Sequence, residues 1–141
     1  MDEFRDTGAN IETVLVVDGD VLIRLAICEY LRRCSFRVLE AANAEEAITI
    51  VQKDNIRIDV VLSDVQLSGS MDGFGLSRWI RTHRSEVEVL LSGTAKRAVD
   101  AAAELCERGP ILGKPYDPQI VHDRIRKLLA ARAKQDDREK T

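Results

Sequence analysis

The sequence has few aromatic residues and no long apolar run. Only 4% of its 141 residues are aromatic although 45% are hydrophobic, so a core built from them must be mainly aliphatic. No apolar stretch approaches the roughly 20 residues that span a bilayer, and the acidic start Met1-Asp2-Glu3 is unlike a signal peptide. We therefore expect a cytoplasmic protein of one domain that makes no contact with a membrane.

The chain has no excess of basic residues and only three cysteines. The formal net charge is −3, whereas domains that bind nucleic acid usually carry a basic excess. We therefore expect no nucleic-acid partner. The three cysteines are an odd number and their spacing matches no metal site. Cys28 and Cys34 fall on different sides of one predicted helix, so we expect them to pack rather than to form a disulfide.

Five apolar runs of strand length alternate with longer stretches of helical period. The runs at 14–17 and 58–63 are almost continuously apolar, which is typical of strands buried on both faces; the others lie at 36–41, 87–91 and 111–113. Five such βα units predict a parallel sheet covered by helices on both faces. The predicted domain spans 11–133, between flexible tails at 1–10 and 134–141.

Helix starts are marked by residues that cap helices. Asp20 precedes the first predicted helix, and Asn43 with Glu46 three positions later forms a capping-box pattern before the second. Asp117 followed by Pro118 marks the start of the fifth predicted helix, because proline is favoured at the first helical position.

Four polar residues directly follow apolar strands, and their chemistry is complementary. They are Asp18, Asp64, Ser92 and Lys114. The carboxyl ends of parallel strands form the ligand-binding edge of an open α/β sheet, so we expect these side chains to converge there. A carboxylate can accept a phosphoryl group as an acyl phosphate, while a lysine and a hydroxyl offset the charge on the phosphoryl oxygens.

The segments around these residues resemble the four signature segments of response-regulator receivers, which act in two-component phosphorelays. The segments are Val-Leu-Val-Val-Asp18, Val-Leu-Ser-Asp64-Val-Gln, Leu-Leu-Ser92-Gly-Thr and Lys114-Pro115-Tyr116. They occur in the family's order and span almost the whole chain. The resemblance implies a flavodoxin-like (βα)5 fold with strand order 2-1-3-4-5.

The resemblance also implies a role for each residue. Asp64 is the expected phosphoacceptor, Ser92 the hydroxyl that follows the phosphoryl group, and Lys114 the lysine that pairs with that group. The peptide bond between Lys114 and Pro115 is expected to be cis. Asp18, Asp64 and the backbone carbonyl of Gln66 are the expected ligands of Mg²⁺, which prefers oxygen ligands.

The chain departs from the family at several positions. Gly19 stands where receivers usually have a second acid, so we expect weaker Mg²⁺ binding because fewer anionic ligands offset its dehydration. Asp20 could substitute as a ligand or cap the first helix. Ile111 stands where the family often has an aromatic switch residue, so a shape change must travel through other packing. The loop after Asp64 is one residue longer than usual, and Tyr116 is expected to pack against the last helix.

The resemblance predicts a stand-alone response regulator that works as a signalling switch rather than as an enzyme. Asp64 would receive the phosphoryl group from a histidine kinase or phosphotransfer protein, and the signal would pass to a downstream protein by contact. The family's common contact face implies that two copies could dimerise through the fourth predicted helix, the fifth strand and the fifth predicted helix.

Two other functions stay open at this stage. One is a docking module of the same fold that no longer cycles phosphate, which Gly19 and Ile111 favour. The other is a phosphohydrolase of the haloacid dehalogenase type, with Asp18 as nucleophile and Asp20 as general acid. Against the hydrolase, no paired acids follow Lys114, the chain lacks a cap domain, and Asp64 would have no role.

Overall fold

Strands and helices alternate along the chain in a computed structural model, which describes residues 11–93 and 112–140. The elements within these residues are β1 (Thr13–Val17), α1 (Val21–Arg33), β2 (Arg37–Ala41), α2 (Ala44–Val51), β3 (Val60–Asp64), α3 (Gly73–His83), β4 (Glu88–Gly93), β5 (Leu112–Gly113) and the C-terminal helix α4 (Pro118–Lys140). Helix α4 corresponds to the fifth predicted helix. The fourth predicted helix and Ile111 lie outside the described residues.

The five strands form one parallel sheet in the order β2-β1-β3-β4-β5. Strand β1 lies between β2 and β3, with Val14 paired to both Val38 and Val60. Strand β3 continues the sheet to β4, where Asp64 is paired with Ser92. The predicted fold class and strand order are therefore confirmed, and β2 lies at one edge of the sheet.

Alternate residues of the central strands enter two separate hydrophobic clusters. Val14 and Val16 pack with α1 and α4 on one face, while Leu15 and Val17 pack with α2 and α3 on the other. This two-residue period follows from the pleat of a strand, which directs successive side chains to opposite faces. Phe36 is the one aromatic side chain that is fully buried among the described residues, so the core is mainly aliphatic as the composition predicts.

Three predicted helix caps are confirmed. The Asp20 carboxylate accepts the N–H groups of Leu22 and Ile23. The Asn43 side chain accepts the N–H of Glu46 at 2.9 Å, and the Glu46 carboxylate reaches back to the N–H of Ala42. The Asp117 carboxylate accepts the N–H of Gln119 at the start of α4. These contacts satisfy amide groups that a helix leaves free at its first turn.

Helix α4 runs through Lys140, seven residues beyond the predicted domain boundary at Ala133. The segment after Ala133 contains Lys, Gln, Arg and Glu but no Gly or Pro, and these residues propagate a helix readily. The flexibility predicted for 134–141 stays a prediction.

Although α4 has 23 residues, neither it nor any other helix within 11–93 and 112–140 is apolar enough to cross a membrane.

Candidate functional site

Asp18, Asp64 and Lys114 meet at the carboxyl edge of the sheet. The Lys114 Nζ donates to Asp18 Oδ2 at 2.6 Å and to Asp64 Oδ2 at 2.8 Å. The three side chains are largely enclosed, with 4% of Asp18, 16% of Asp64 and 11% of Lys114 exposed. Residues separated by up to 96 positions therefore form one ion-paired cluster, as their places after three parallel strands predicted.

The backbone that follows each strand orients the two carboxylates in the same way. Asp18 Oδ1 accepts the N–H of Asp20 at 2.9 Å, and Asp64 Oδ1 accepts the N–H of Gln66 at 3.0 Å. Each aspartate thus bonds the amide two residues ahead with one oxygen and Lys114 with the other. Such local bonds are favoured by aspartate at the start of a turn.

The ionic cluster favours a charged lysine. Burial by itself would lower the pKa of Lys114, but hydrogen bonds to Asp18 and Asp64, together with their negative charges, outweigh it and raise the pKa above its ordinary value. The ammonium therefore neutralises one of the two carboxylate charges. The peptide bond between Lys114 and Pro115 is cis, which confirms that prediction.

Ser92 lies beside Asp64, because the two residues are paired between β4 and β3. Ser92 is buried, and its carbonyl accepts the N–H of Val65 at 2.8 Å. All four residues predicted from the strand ends are thus assembled at one edge of the sheet.

Asp20 is engaged as a helix cap, which supports the capping interpretation over that of a substitute ligand. Its Oδ1 lies 3.0 Å from the N of Leu22 and 3.1 Å from the N of Ile23. A Cβ added at Gly19 would contact, among the residues that the structure describes, only the carbonyl oxygen of Ala42 at 3.6 Å. The missing acid is therefore not excluded by crowding at position 19.

The site offers two carboxylates to a divalent ion. No cluster of three or more His, Cys, Asp or Glu side chains suited to a metal occurs in the described part of the chain. Asp18 and Asp64 nevertheless already share one cation, the ammonium of Lys114. Their oxygens are the donor type that Mg²⁺ prefers, so the residues fit this ion with fewer anionic ligands than the family usually supplies.

Sequence reasoning missed Arg24 and incompletely described Tyr116. The Arg24 guanidinium donates to the carbonyl of Asp18 at 2.7 Å and pairs with Glu40 at 3.0 Å, so it holds the chain where β1 ends. Tyr116 is partly buried against the core cluster formed by the sheet, α1 and α4, and its packing against α4 itself stays a prediction. Burial and the charges of Asp18 and Asp64 raise its pKa, which keeps its phenol neutral beside the site.

The loop after Asp64 is fixed at its ends and near its middle. The N–H of Gly73 donates to the carbonyl of Val65 at 3.0 Å and closes the loop. Within it, the N–H of Ser70 donates to Glu45 of α2 at 3.1 Å. Gly69, with φ of 103°, supplies the left-handed conformation that the chain needs next to this contact. No sequence pattern indicated this contact between α2 and the loop.

Comparison with known proteins identifies the class of this fold and site. The family model "Response regulator receiver domain" matches residues 14–126, and the chain belongs to this family. It is similar to sporulation initiation phosphotransferase F of Bacillus subtilis, at 30% identity over 120 residues that cover 84% of this chain and 94% of the relative.

Two further proteins are similar to this chain over most of its length. Transcriptional regulatory protein SrrA of Staphylococcus aureus is 32% identical over 118 residues, which cover 82% of this chain but 47% of SrrA; the chain thus spans about half the length of that protein. A CheY-like response regulator receiver domain protein from Methanospirillum hungatei has the same fold, with a TM-score of 0.79 and 20% identity over 89% of this chain and 99% of that one.

Proposed function

We propose that this receiver domain accepts a phosphoryl group on Asp64 and transmits a signal through protein contacts. The observation that carries the proposal is the shared ammonium of Lys114, which lies within 2.8 Å of both Asp64 and Asp18. A nucleophilic carboxylate beside a fixed cation is the arrangement that phosphoryl transfer to an acid requires, because negative charge must be offset as the group approaches.

In the proposed reaction, an Asp64 carboxylate oxygen attacks the phosphorus of a phosphohistidine. A P–O bond forms, the P–N bond to the donor imidazole breaks, and the electron pair of that bond returns to the ring nitrogen. Lys114 is placed to pair with a phosphoryl oxygen, and the Ser92 hydroxyl to donate to one. Mg²⁺, when held by Asp18, Asp64 and the Gln66 carbonyl, would offset further charge on the phosphoryl group.

The surface beside the site supports a protein as phosphodonor. Val21, Leu22 and Leu25 lie on the first turns of α1, directly after the Asp18 loop, and are 53%, 77% and 47% exposed. Ile120 at the start of α4 is also half exposed, and exposed apolar patches commonly mark protein contacts. We propose that a histidine kinase or phosphotransfer protein docks there. A cytoplasmic location, the downstream target and a homodimer stay predictions.

A docking module that does not cycle phosphate is the second candidate, and the glycine at position 19 favours it because only two carboxylates remain for the metal. The phosphohydrolase alternative gains no support, because Asp20, its required general acid, caps α1.

Intact mass after incubation with acetyl phosphate and Mg²⁺ tests the proposal. We expect one added phosphoryl group on the wild-type chain, none on Asp64→Asn, and full labelling of the control Asp54→Asn, which changes an exposed aspartate. Label that persists in Asp64→Asn but is lost in Asp18→Asn would instead assign Asp18 as the nucleophile. If no Mg²⁺ concentration produces label, the docking module is the better description.

A further inference from the structure

Each aspartate of the site accepts a backbone N–H with one carboxylate oxygen and the Lys114 ammonium with the other. Asp18 Oδ1 and Asp64 Oδ1 each accept a backbone N–H, from Asp20 and Gln66. Asp18 Oδ2 and Asp64 Oδ2 both accept from Lys114. The ammonium therefore joins the two Oδ2 atoms, neither of which accepts a backbone N–H from residues 11–93 or 112–140.

A divalent ion and the lysine need the same oxygens. Mg²⁺ binds carboxylate oxygen at about 2.0–2.1 Å and loses its water reluctantly, so it depends on anionic ligands that are free to approach it. An ammonium already at 2.6 Å and 2.8 Å from these oxygens would be forced close to the incoming ion, where two positive charges repel. Metal binding must therefore move Lys114 away from at least one carboxylate.

We propose that Lys114 acts as a built-in competitor of the divalent cation at Asp18 and Asp64, and that Gly19 gives the lysine the advantage. This inference rests on the proposed function, because it concerns how the same site is regulated. With glycine at position 19, one ammonium faces two carboxylates, so a bound Mg²⁺ would share only two anionic side chains. The resting site is accordingly held by its own cation, and occupancy by metal limits phosphorylation.

Position 19 provides an independent way to alter this balance. An added Cβ would have ordinary contact with the Ala42 carbonyl oxygen at 3.6 Å and would meet no other atom of the described residues within 4 Å. Gly19→Asp therefore adds a carboxylate next to Asp18 without displacing backbone. Gly19→Asn is its matched control, because it adds a side chain of the same size without the charge.

The test is a Mg²⁺ titration of the unphosphorylated protein, followed by the amide proton shifts of Asp20 and Gln66. These two amides donate to the carboxylates in question, so they report on the metal directly. The variants are Lys114→Met and Gly19→Asp. Lys127→Met, which removes an exposed lysine of α4, controls for the loss of a positive charge elsewhere.

We expect Lys114→Met and Gly19→Asp each to bind Mg²⁺ about tenfold more tightly than the wild type, since each makes the site more negative by one charge at short range. Gly19→Asn should gain less than Gly19→Asp, and Lys127→Met should match the wild type. Binding that is detectable only in the two site variants would also support the competition.

Equal or weaker Mg²⁺ binding by Lys114→Met would overturn the inference, as would an absence of binding in every protein tested. Unchanged amide spectra away from the site establish that the variants are folded, and Gly19→Asp gives a second result that does not depend on losing the lysine. The titration uses no phosphodonor, so its outcome is separate from the phosphorylation of Asp64.

Discussion

Asp18 and Asp64 show how single residues prepare the site. Each carboxylate is fixed by the amide two positions ahead, at 2.9 Å and 3.0 Å, and this leaves its other oxygen directed to Lys114. The orientation is local in origin, since an aspartate that ends a strand readily bonds the turn that follows it. The convergence is not local, because it requires the parallel pairing of β1 and β3.

At Gly73, the first residue of α3, the backbone lies very close to the end of β3. A Cβ added at this position would lie 2.2 Å from the carbonyl oxygen of Asp64 and 2.7 Å from the Cα of Val65. Because both neighbours are backbone, Gly73→Ala must shift the start of α3 relative to Asp64 and Val65. We expect it to lower the free energy of unfolding by about 1–3 kcal/mol and to slow labelling of Asp64 by acetyl phosphate.

Urea unfolding and the time course of intact mass measure these two effects of Gly73→Ala. Gly113→Ala is the matched control, since an added Cβ there has no atom of 11–93 or 112–140 within 4 Å, and its stability should stay within about 0.5 kcal/mol of the wild type. Equal stability and equal labelling rates for the two variants would refute this explanation of Gly73.

The raised pKa of the Cys28 thiol predicts that the protein loses stability at alkaline pH. Burial, with a smaller contribution from the charge of Glu40, raises the pKa of its thiol from 9.0 to about 11. Between these values the unfolded chain loses the thiol proton while the folded chain keeps it, so the free energy of unfolding falls as pH rises from about 9 to 11. Below pH 9 the thiol contributes no pH dependence.

Thermal unfolding of wild type and Cys28→Ala at several pH values from 8 to 11 separates this thiol from other groups. We expect Cys28→Ala to be the less stable at pH 8, because it leaves a gap in the core, but to lose less stability than the wild type on going to pH 11. Parallel pH profiles for the two proteins would contradict the assignment to Cys28.

At the scale of elements, the first turn of α1 supports a role for Asp20 as a helix cap rather than as a metal ligand. Its carboxylate caps the helix at Leu22 and Ile23, so Asp20→Ala should lower the free energy of unfolding by about 1 kcal/mol. Asp20→Ser keeps a capping oxygen but removes the charge, and it should restore most of that stability. Neither change should remove a metal ligand.

Thermal unfolding and a Mg²⁺ titration of both variants measure the two effects together. A large loss of Mg²⁺ affinity in Asp20→Ser, with its stability intact, would show instead that Asp20 replaces the acid missing at position 19.

Helix α4 is attached to the sheet by a buried ion pair at the edge opposite the site. The Asp59 carboxylate, immediately before β3, accepts the N–H of Thr13 at 2.8 Å and a guanidinium N–H of Arg132 at 3.1 Å. Both Asp59 and Thr13 are buried. Asp59→Ala would leave the Thr13 amide without this acceptor and the Arg132 guanidinium with its longer contacts to the carbonyls of residues 59 and 86, at 3.5 Å and 3.4 Å. We therefore expect the free energy of unfolding to fall by about 2–4 kcal/mol.

Urea unfolding of Asp59→Ala beside the exposed control Asp54→Ala measures this anchor. The control should differ from the wild type by no more than about 0.5 kcal/mol. If Asp59→Ala is equally benign, the ion pair does not stabilise the attachment of α4.

For the whole molecule, the sequence predicts the sheet well because burial leaves a clear pattern. The continuous apolar run of β1 arises from packing on both faces, and the polar residues after the strands mark the edge where the site forms. Strand limits are less predictable. Ile58 is buried like a strand residue, yet β3 begins at Val60, because the ladder with β1 starts where Val14 meets Val60.

Contacts between distant residues account for most of what the sequence leaves undetermined. The bond from Arg24 to Asp18 and that from Ser70 to Glu45 depend on tertiary packing, and neither has a periodic or motif signal. The strand ends predict that Lys114 lies near both aspartates, but only the structure shows that one ammonium joins their Oδ2 atoms. That bridge is the basis for regarding the lysine as a competitor of the metal.

The most direct test of the account is to locate the phosphoryl group on the chain. Borohydride reduces an aspartyl phosphate to homoserine, so the protein is treated with acetyl phosphate and Mg²⁺, reduced, digested and sequenced by mass spectrometry. We predict homoserine at position 64 alone, and none when the phosphodonor is omitted. Homoserine at position 18, or its absence from every peptide, would contradict the account of Asp64 as the phosphoacceptor.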